Sequence, residues 1–232
     1  MERKIFVFTD GSSRGNPGPG GFGAIIVMPE KIVELGGREL QTTNNRMELS
    51  GVISALSFLS HYLSLSTHPL SLFTDSSYVV NGITKWVFGW QKNNWKKADG
   101  TDVLNKDLWE KLFSLSRDFK MDWKIIPGHS GVAGNERCDE IATSFADGDT
   151  PNLFDGKKED YKIKLLPVEI GAVEIKKTKG KTAFSYVSAI DGIVKVHSSW
   201  KECEARVKGK AGARFKKSFS KSDEEKIIKE FT

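Results

Sequence analysis

The chain has 232 residues, with 35 Lys and Arg against 30 Asp and Glu and a formal net charge of +5. No apolar segment comes near the roughly 20 residues that span a membrane, and the two cysteines, Cys138 and Cys203, lie too far apart to suggest a disulfide framework or a zinc-binding pattern. Length admits one large or two small domains, and composition excludes a membrane-spanning or cystine-stapled protein.

Met1-Glu2-Arg3-Lys4 leads directly into a hydrophobic strand, so neither signal peptide nor anchor is expected, and the isolated thiols fit a reducing cytoplasm. From Lys4 to Asp10 the side chains alternate, which puts Phe6, Phe8 and Asp10 on one face of that strand. The stretch Gly15-Asn16-Pro17-Gly18-Pro19-Gly20-Gly21-Phe22-Gly23 contains a literal G-x-G-x-x-G. A dinucleotide-binding motif needs a helix to begin at such glycines, whereas Pro17 and Pro19 interrupt them and a β-branched run from Ala24 to Met28 follows. The segment reads instead as a turn between antiparallel strands. Thr42-Thr43-Asn44-Asn45-Arg46-Met47-Glu48 then opens a helix whose Leu49, Val52, Ile53, Leu56 and Leu59 recur at helical spacing. Glu48 lies one turn before Val52 and is therefore aimed at the sheet; a surface acid would suffice merely to meet the helix dipole.

A second strand, Ser71 to Asp75, ends as the first one does: Phe8-Thr9-Asp10 and Phe73-Thr74-Asp75 are each followed by serines, Ser12-Ser13 and Ser76-Ser77. Asp after a strand is also an ordinary turn residue, but the repetition points to paired carboxylates at strand ends, where open α/β sheets bind ligands. Between Trp86 and Lys97, three tryptophans, Trp86, Trp90 and Trp95, are interleaved with Lys92, Lys96 and Lys97. Trp86 and Trp90 are one turn apart and suit packing, whereas the lysines gain nothing from a core. The loop Gly128-His129-Ser130-Gly131 runs into a helix bearing Glu136, Asp139 and Glu140, and periodicity does not choose among those acids.

Convergence of three or four carboxylates has a chemical consequence. At an effective dielectric of about 20, two unit charges about 5 Å apart repel by about 3 kcal/mol, so the cluster needs a counter-charge. Oxygen-only ligands suit Mg²⁺ or Mn²⁺, and carboxylates with such an ion point to phosphoryl chemistry.

From Lys4 to about Asp147 the chain resembles the bacterial type 1 ribonuclease H family. The resemblance is carried by Thr9-Asp10-Gly11-Ser12, Gly15-Asn16-Pro17-Gly18-Pro19-Gly20, Thr43-Asn44-Asn45-Arg46-Met47-Glu48-Leu49, Thr74-Asp75-Ser76, Gly128-His129-Ser130-Gly131 and Asn135-Glu136-Arg137-Cys138-Asp139. It implies an α/β fold over residues 1–150, a five-stranded mixed sheet flanked by helices, and an endonuclease that hydrolyses the RNA strand of RNA–DNA hybrids to 5′-phosphate and 3′-hydroxyl ends. It also places the fourth acid on Asp139. By that resemblance Asp10, Glu48, Asp75 and Asp139 hold two Mg²⁺ ions, replaceable by Mn²⁺, about 3.5–4 Å apart, with Asp10 bridging them, one ion acidifying the attacking water and the other stabilising the leaving oxygen. His129 is implied as a proton carrier or an aid to product release. Asn16, Thr43, Asn44 and Asn45 are implied to contact the hybrid backbone and a DNA phosphate, which includes sensing the 2′-hydroxyl. Trp86, Trp90, Lys92, Trp95, Lys96 and Lys97 resemble a basic protrusion that grips the DNA strand and makes binding salt-dependent. Ser77 departs from the many relatives that carry Gln, which weakens an expected minor-groove contact.

Charge divides the chain. Residues 1–150 hold 16 Lys and Arg against 18 Asp and Glu, a net of −2, and the remaining 19 against 12 give residues 151–232 a net of +7. Composition over residues 151–181 predicts a last strand around Tyr161 to Leu166 and then a linker. Beyond it, Ala183–Ser188 and Gly192–His197 read as strands, Trp200–Val207 as a helix, Ala213–Ser218 as a strand and Asp223 onward as a helix, a small α+β basic domain over residues 182–232. A solvated face is the usual fate of such charge, yet Tyr186, Trp200 and Phe215 accompany Lys216 and Lys217, the combination that nucleic-acid binding requires. Tyr186, Ser199-Trp200-Lys201-Glu202-Cys203 and Gly212-Ala213-Arg214-Phe215-Lys216-Lys217 resemble the hybrid-binding (viroplasmin-like) domain attached to many ribonucleases H, mostly at their N-terminus. That likeness implies contacts from Tyr186, Trp200 and Phe215 to DNA sugars and from Lys216 and Lys217 to phosphate. The expected partners are the RNA–DNA hybrid and, weakly through the C-terminal domain, double-stranded RNA; no membrane is expected, and the protein should be a monomer. Two other readings are a catalytically silent module that coats hybrids, against which the intact acids stand, and a ribonuclease H-like domain of a polymerase or recombinase, against which Asn44-Asn45 and the basic protrusion stand.

Overall fold

The computed structural model describes residues 4–62, 69–128, 131–165, 184–190, 192–208, 210, 213–218 and 220–231. They fall into two compact units, Met1–Val173 and Glu174–Thr232.

In the first unit β1 (Ile5–Ser13), β2 (Gly18–Val27) and β3 (Lys31–Thr42) form an antiparallel meander. Helix α1 (Asn44–Tyr62) leads to β4 (Pro69–Thr74), which lies parallel to β1, and β5 (Lys120–Ile125) lies parallel to β4. Between β4 and β5 come α2 (Ser77–Asn81), a π-helical turn (Gly82–Trp86), α3 (Val87–Lys92) and α4 (Lys106–Ser116); α5 (Ala133–Asp147) follows β5. The sheet has six strands rather than the expected five, in the order β5-β4-β1-β2-β3-β6. The added edge strand, β6 (Asp155–Lys157), corrects the strand predicted near Tyr161, because residues 161–165 adopt no strand. Tyr161 instead turns its ring onto Phe154, 5.0 Å away, and both pack on the core under α5. The apolar residues that suggested a strand serve to seat a loop.

β1 is buried on both faces, which is why it reads as a nearly continuous hydrophobic run. Ile5 and Val7 face α1 and α4, with Leu49, Val52, Leu56, Leu70, Leu72 and Trp109, while Phe8 faces α5 with Ile25, Phe73 and Cys138. The five residues that gave α1 its periodicity, Leu49, Val52, Ile53, Leu56 and Leu59, are all buried, each side chain worth about 1.5–3 kcal/mol of transfer from water. On the other face α5 lies directly on backbone: a Cβ at Gly23 would stand 2.3 Å from the Cys138 carbonyl oxygen, and one at Gly21 would stand 2.4 Å from that of Ala142. Two residues of strand thus match one turn of helix. Gly23→Ala must therefore push α5 off the sheet; an expected loss of about 2 kcal/mol, or about 6 °C in Tm, is checked by thermal melting.

The second unit is a three-stranded antiparallel sheet, β8 (Ile193–His197), β7 (Ser185–Ile190), β9 (Arg214–Ser218), with helices α6 (Trp200–Val207) and α7 (Lys221–Phe231). Its elements match the sequence reading to within two residues. Val187 and Ala189 on one face of β7 pack with Ile227 and Phe231 of α7. Ser199 caps α6 by accepting from the Glu202 N–H at 3.4 Å. Among the described residues no helix is long and apolar enough to cross a membrane.

Candidate active site and nucleic-acid surfaces

β1 and β4 run parallel with Phe8 opposite Phe73, and the two rings stack 5.0 Å apart. Two residues further along each strand stand Asp10 and Asp75, so the repeated Phe-Thr-Asp becomes one lateral pair of acids. Gly11 brings in the third. A Cβ there would lie 2.3 Å from the Glu48 backbone nitrogen, so the first turn of α1 rests directly on β1 and Glu48 arrives beside Asp10. Asp10, Glu48 and Asp75 each present a carboxylate oxygen, and these atoms lie within 4.8 Å of one another.

Asp139 approaches from the opposite face of the sheet. Gly23 is the β2 partner of Asp10, and Cys138 lies over Gly23, so the next residue of α5 is carried to Asp10. Half-buried, Asp139 is close enough to disfavour ionisation of Asp10, although it is outside the trio whose oxygens meet within 4.8 Å. Glu136 and Glu140 are exposed, and Glu140 accepts from Arg137 at 3.2 Å, so the ambiguity among the three acids of this helix falls to Asp139.

Burial pushes Asp10 up to about 7, Asp75 and Asp139 add to the rise, and the Gly11 N–H, donating at 2.7 Å, opposes it. Glu48 is also held well above the usual carboxylate range, first by burial and then by Asp10 and Asp75, against a 3.4 Å bond from the Asn44 amide. Its Oε2 is buried and has no hydrogen-bond partner among the described residues. An orphaned buried oxygen costs about 1–3 kcal/mol, more when charged. Three carboxylates with oxygens in reach of one another, one of the three acids also carrying an unsatisfied oxygen, form a donor set that fits a hard divalent cation. Gly128 packs against this cluster, since a Cβ there would stand 2.7 Å from Asp75 Oδ2. His129, expected to work beside the acids, lies outside the described residues.

A family model described as RNase H matches residues 2–147, well over half of the chain. The chain belongs to the ribonuclease H family. A ribonuclease H from Cyanothece sp. is 47% identical over 148 residues, covering 63% of this chain and 92% of its own length. A ribonuclease HI from Pasteurella multocida is 43% identical over 150 residues, covering 65% and 94%. Among solved structures, LC9-RNase H1, described as a type 1 RNase H with the type 2 active-site motif, superposes with a TM-score of 0.58 at 30% identity, over 67% of this chain and 79% of its own. A second family model, described as a ribonuclease H1 N-terminal domain, matches residues 193–224.

Around the acids of this ribonuclease H, Asn16, Asn44 and Asn45 are exposed, while Thr43 caps α1, its Oγ1 accepting from the Arg46 N–H at 3.4 Å. Sequence reasoning missed Arg46, whose guanidinium grips Asp107 of α4 through two bonds of 3.1 and 2.9 Å and so holds the turn that carries the asparagines. Its partner lies 61 residues away, and no local pattern announces it. The protrusion departs more from expectation. Trp95 is only 9% exposed, locked in the core under α4, and Trp90 is half-buried against Trp109 at 5.6 Å. Core packing claims both rings and leaves Trp86, 39% exposed, as the one of these three tryptophans at the surface. Lys96 is tied to Asp102 at 2.6 Å, which reduces its value to a phosphate; Lys92 is exposed and Lys97 half-buried.

In the second unit Tyr186, Trp200 and Phe215 make a continuous aromatic row, with neighbouring centroids 5.7 and 5.2 Å apart. Tyr186 pairs with Lys217 and Ser188 with Phe215 across β7 and β9, so Lys217 shares the face of the row. Lys216 does not. Strand alternation turns it to the other face, where Glu230 of α7 holds its ammonium at 2.6 and 2.7 Å, and this corrects its expected place beside the aromatics. Beneath the row, the buried Ser188 hydroxyl lies 2.7 Å from both His197 Nε2 and Arg206 Nη1, which fastens α6 and β8 to β7.

Proposed function

We propose that this protein is an endoribonuclease that hydrolyses the RNA strand of RNA–DNA hybrids at Asp10, Glu48, Asp75 and Asp139, with Mg²⁺ as the ion and Mn²⁺ as a substitute. The observation that carries the reading is the trio of carboxylate oxygens from Asp10, Glu48 and Asp75 within 4.8 Å of one another, with Glu48 Oε2 buried and without a hydrogen-bond partner among the described residues. Two ions bound there would supply a water acidified for attack and positive charge at the leaving oxygen. The chain's own residues supply position: α1 presses on β1 at Gly11 and α5 presses on the other face of the sheet at Gly23 of β2, which brings Glu48 and Asp139 to Asp10, and Asn44 steadies Glu48. The exposed amides of Asn16, Asn44 and Asn45 are donors and acceptors suited to a 2′-hydroxyl, the group that distinguishes RNA from DNA. His129 acts as proton carrier or in product release.

Residues 182–232 act as a hybrid-binding-like domain that adds affinity, with weaker affinity for double-stranded RNA, and the protein works as a cytoplasmic monomer. The aromatic row supports that reading, because base or sugar stacking on an aromatic is worth about 1–3 kcal/mol. Replacing Trp200 and Phe215 together by Ala is therefore expected to raise the KM for hybrid about tenfold at moderate salt with kcat unchanged, measured by steady-state cleavage. The function itself is tested with labelled hybrid, RNA duplex and DNA duplex, each with Mg²⁺ or EDTA. Metal-dependent cutting of RNA in the hybrid alone supports the enzyme; tight binding without cleavage under any metal supports the silent coat and overturns it.

A further inference from the structure

We propose that Glu34, Arg137 and Tyr161 form a clamp that sets the position of Asp139 against the other three acids, so that residues 152–161, beyond the last helix of the nuclease fold, belong to its catalytic apparatus. The proposal rests on the reading of those acids as a metal site. Glu34 of β3 has a side chain only 2% exposed. Arg137 Nε and Nη2 donate to its two oxygens at 2.9 and 3.0 Å, the Tyr161 hydroxyl donates at 2.7 Å and the Phe154 N–H at 3.0 Å. Arg137 also donates to the Asn152 carbonyl at 3.2 Å, so one carboxylate ties together β3, α5 and the segment that follows α5.

Stability alone is a weak account of such a group. A buried ion pair often contributes no more than apolar residues of the same volume would. Position accounts for it better. Successive helix residues turn by about 100°, so with Cys138 seated on Gly23, Arg137 leaves one flank of α5 toward β3 and Asp139 leaves the other toward Asp10. Gly21 and Gly23 present backbone without a side-chain ridge, so the roll of α5 depends on its flanks: Phe145 and Ile141 against Gly36, Arg14 on Asp147 at its C-terminal end, and Arg137 on Glu34 in the turn that carries Asp139. With side chains reaching about 5–6 Å from the axis, a roll of about 10° moves a carboxylate by about 1 Å. A displacement of that size is enough to cost about 10²-fold in a reaction that depends on alignment. Asp139 is also the acid outside the tight trio, hence the one whose distance such a roll would change.

The test compares Glu34→Gln, Arg137→Lys and Tyr161→Phe with the parent and with Asp10→Asn. Mn²⁺ binding to the full chain without hybrid is followed by calorimetry and electron paramagnetic resonance, and cleavage is followed against metal concentration. Glu34→Gln is expected to weaken binding of the second ion about tenfold, the size seen for outer partners of metal ligands, and to raise the metal concentration at half-maximal rate equally, with the KM for hybrid unchanged. Arg137→Lys keeps the charge but loses the fork, and is expected to follow Glu34→Gln. Should Glu34→Gln fail to fold, Tyr161→Phe, which removes one hydrogen bond, carries the test with an expected effect of about threefold. Folded variants that melt lower yet bind Mn²⁺ as the parent does would overturn the clamp. If Asp10→Asn also binds Mn²⁺ as the parent does, it is the metal reading that fails.

Discussion

Replacing Asp10 with Asn is expected to reduce cleavage of the RNA in a hybrid by about a thousandfold or more, with hybrid binding within about twofold of the parent. Asp10 is the acid that meets all the others: Asp75 and Asp139 act on it, and it acts on Glu48. Asn preserves the shape and the acceptor for the Gly11 N–H, so the substitution removes charge and little else. Metal ions contribute several kcal/mol of transition-state stabilisation, and each 1.36 kcal/mol is a factor of ten, which sets the expected loss. The proposed grip on the hybrid lies elsewhere, in Lys92 and Lys97, in Trp86 and in the aromatic row of the C-terminal unit. Loss of one negative charge near a phosphate backbone works, if anything, in favour of binding. Single-turnover cleavage and gel shift on the same preparation separate the two effects. A variant that cuts at the parental rate with Mg²⁺ would end the assignment.

Where the placement of an acid is written in local pattern, the sequence was sufficient to find it. The repeated Phe-Thr-Asp has meaning because a parallel register aligns Phe8 with Phe73, and the helical spacing after Glu48 states which side of α1 is buried. Asp139 was a different case. Glu136, Asp139 and Glu140 are alike in local terms, and what separates them is Gly23 beneath Cys138, a backbone contact between residues 115 apart. Trp95 escaped for a related reason. Asn94 and Trp95 take φ of 49° and 60°, a left-handed turn that sends the indole into the core, and helical spacing cannot anticipate such a turn. Lys216 was in principle legible: β9 alternates, so Phe215 and Lys217 share one face and Lys216 must take the other, but aromatics beside lysines were read as composition rather than parity. The strand expected near Tyr161 failed because apolar residues that seat a loop on a core look, over five positions, like those of a strand.

The acid cluster also dictates how stability should depend on pH, in a direction opposite to that of ordinary carboxylates. Asp10 has a folded-state pKa of about 7 against an ordinary 3.8, and Glu48 is raised with it. Between those values the folded protein holds a proton that the unfolded chain has released, so stability falls as pH rises and the full cost is present above about pH 7. For Asp10 alone the part that falls between pH 5 and 7 is about 2 kcal/mol. Glu34 has the opposite sign: although its burial works against the charge, the bonds from Arg137, Tyr161 and Phe154 depress its pKa, so its contribution is lost only as pH falls below the ordinary 4.5 and stays constant across this window. Without divalent ions the Tm of the catalytic unit is therefore expected to drop by about 8 °C from pH 5 to pH 8. Asp10→Asn should lose the share of that slope due to Asp10, while the share of Glu48, raised first by burial, remains; at pH 8 in EDTA it should melt higher than the parent, since one buried charge beside other acids is gone. Mg²⁺ should raise the Tm of the parent more at pH 8 than at pH 5, where it must displace protons to bind, and should do little for Asp10→Asn. Calorimetric melting at pH 5, 6, 7 and 8, with and without Mg²⁺, reads all three. A parental Tm that is flat or rising across that range in EDTA would mean that the acids are not held protonated by burial and by one another, and the electrostatic case for a cation at Asp10, Glu48 and Asp75 would go with it.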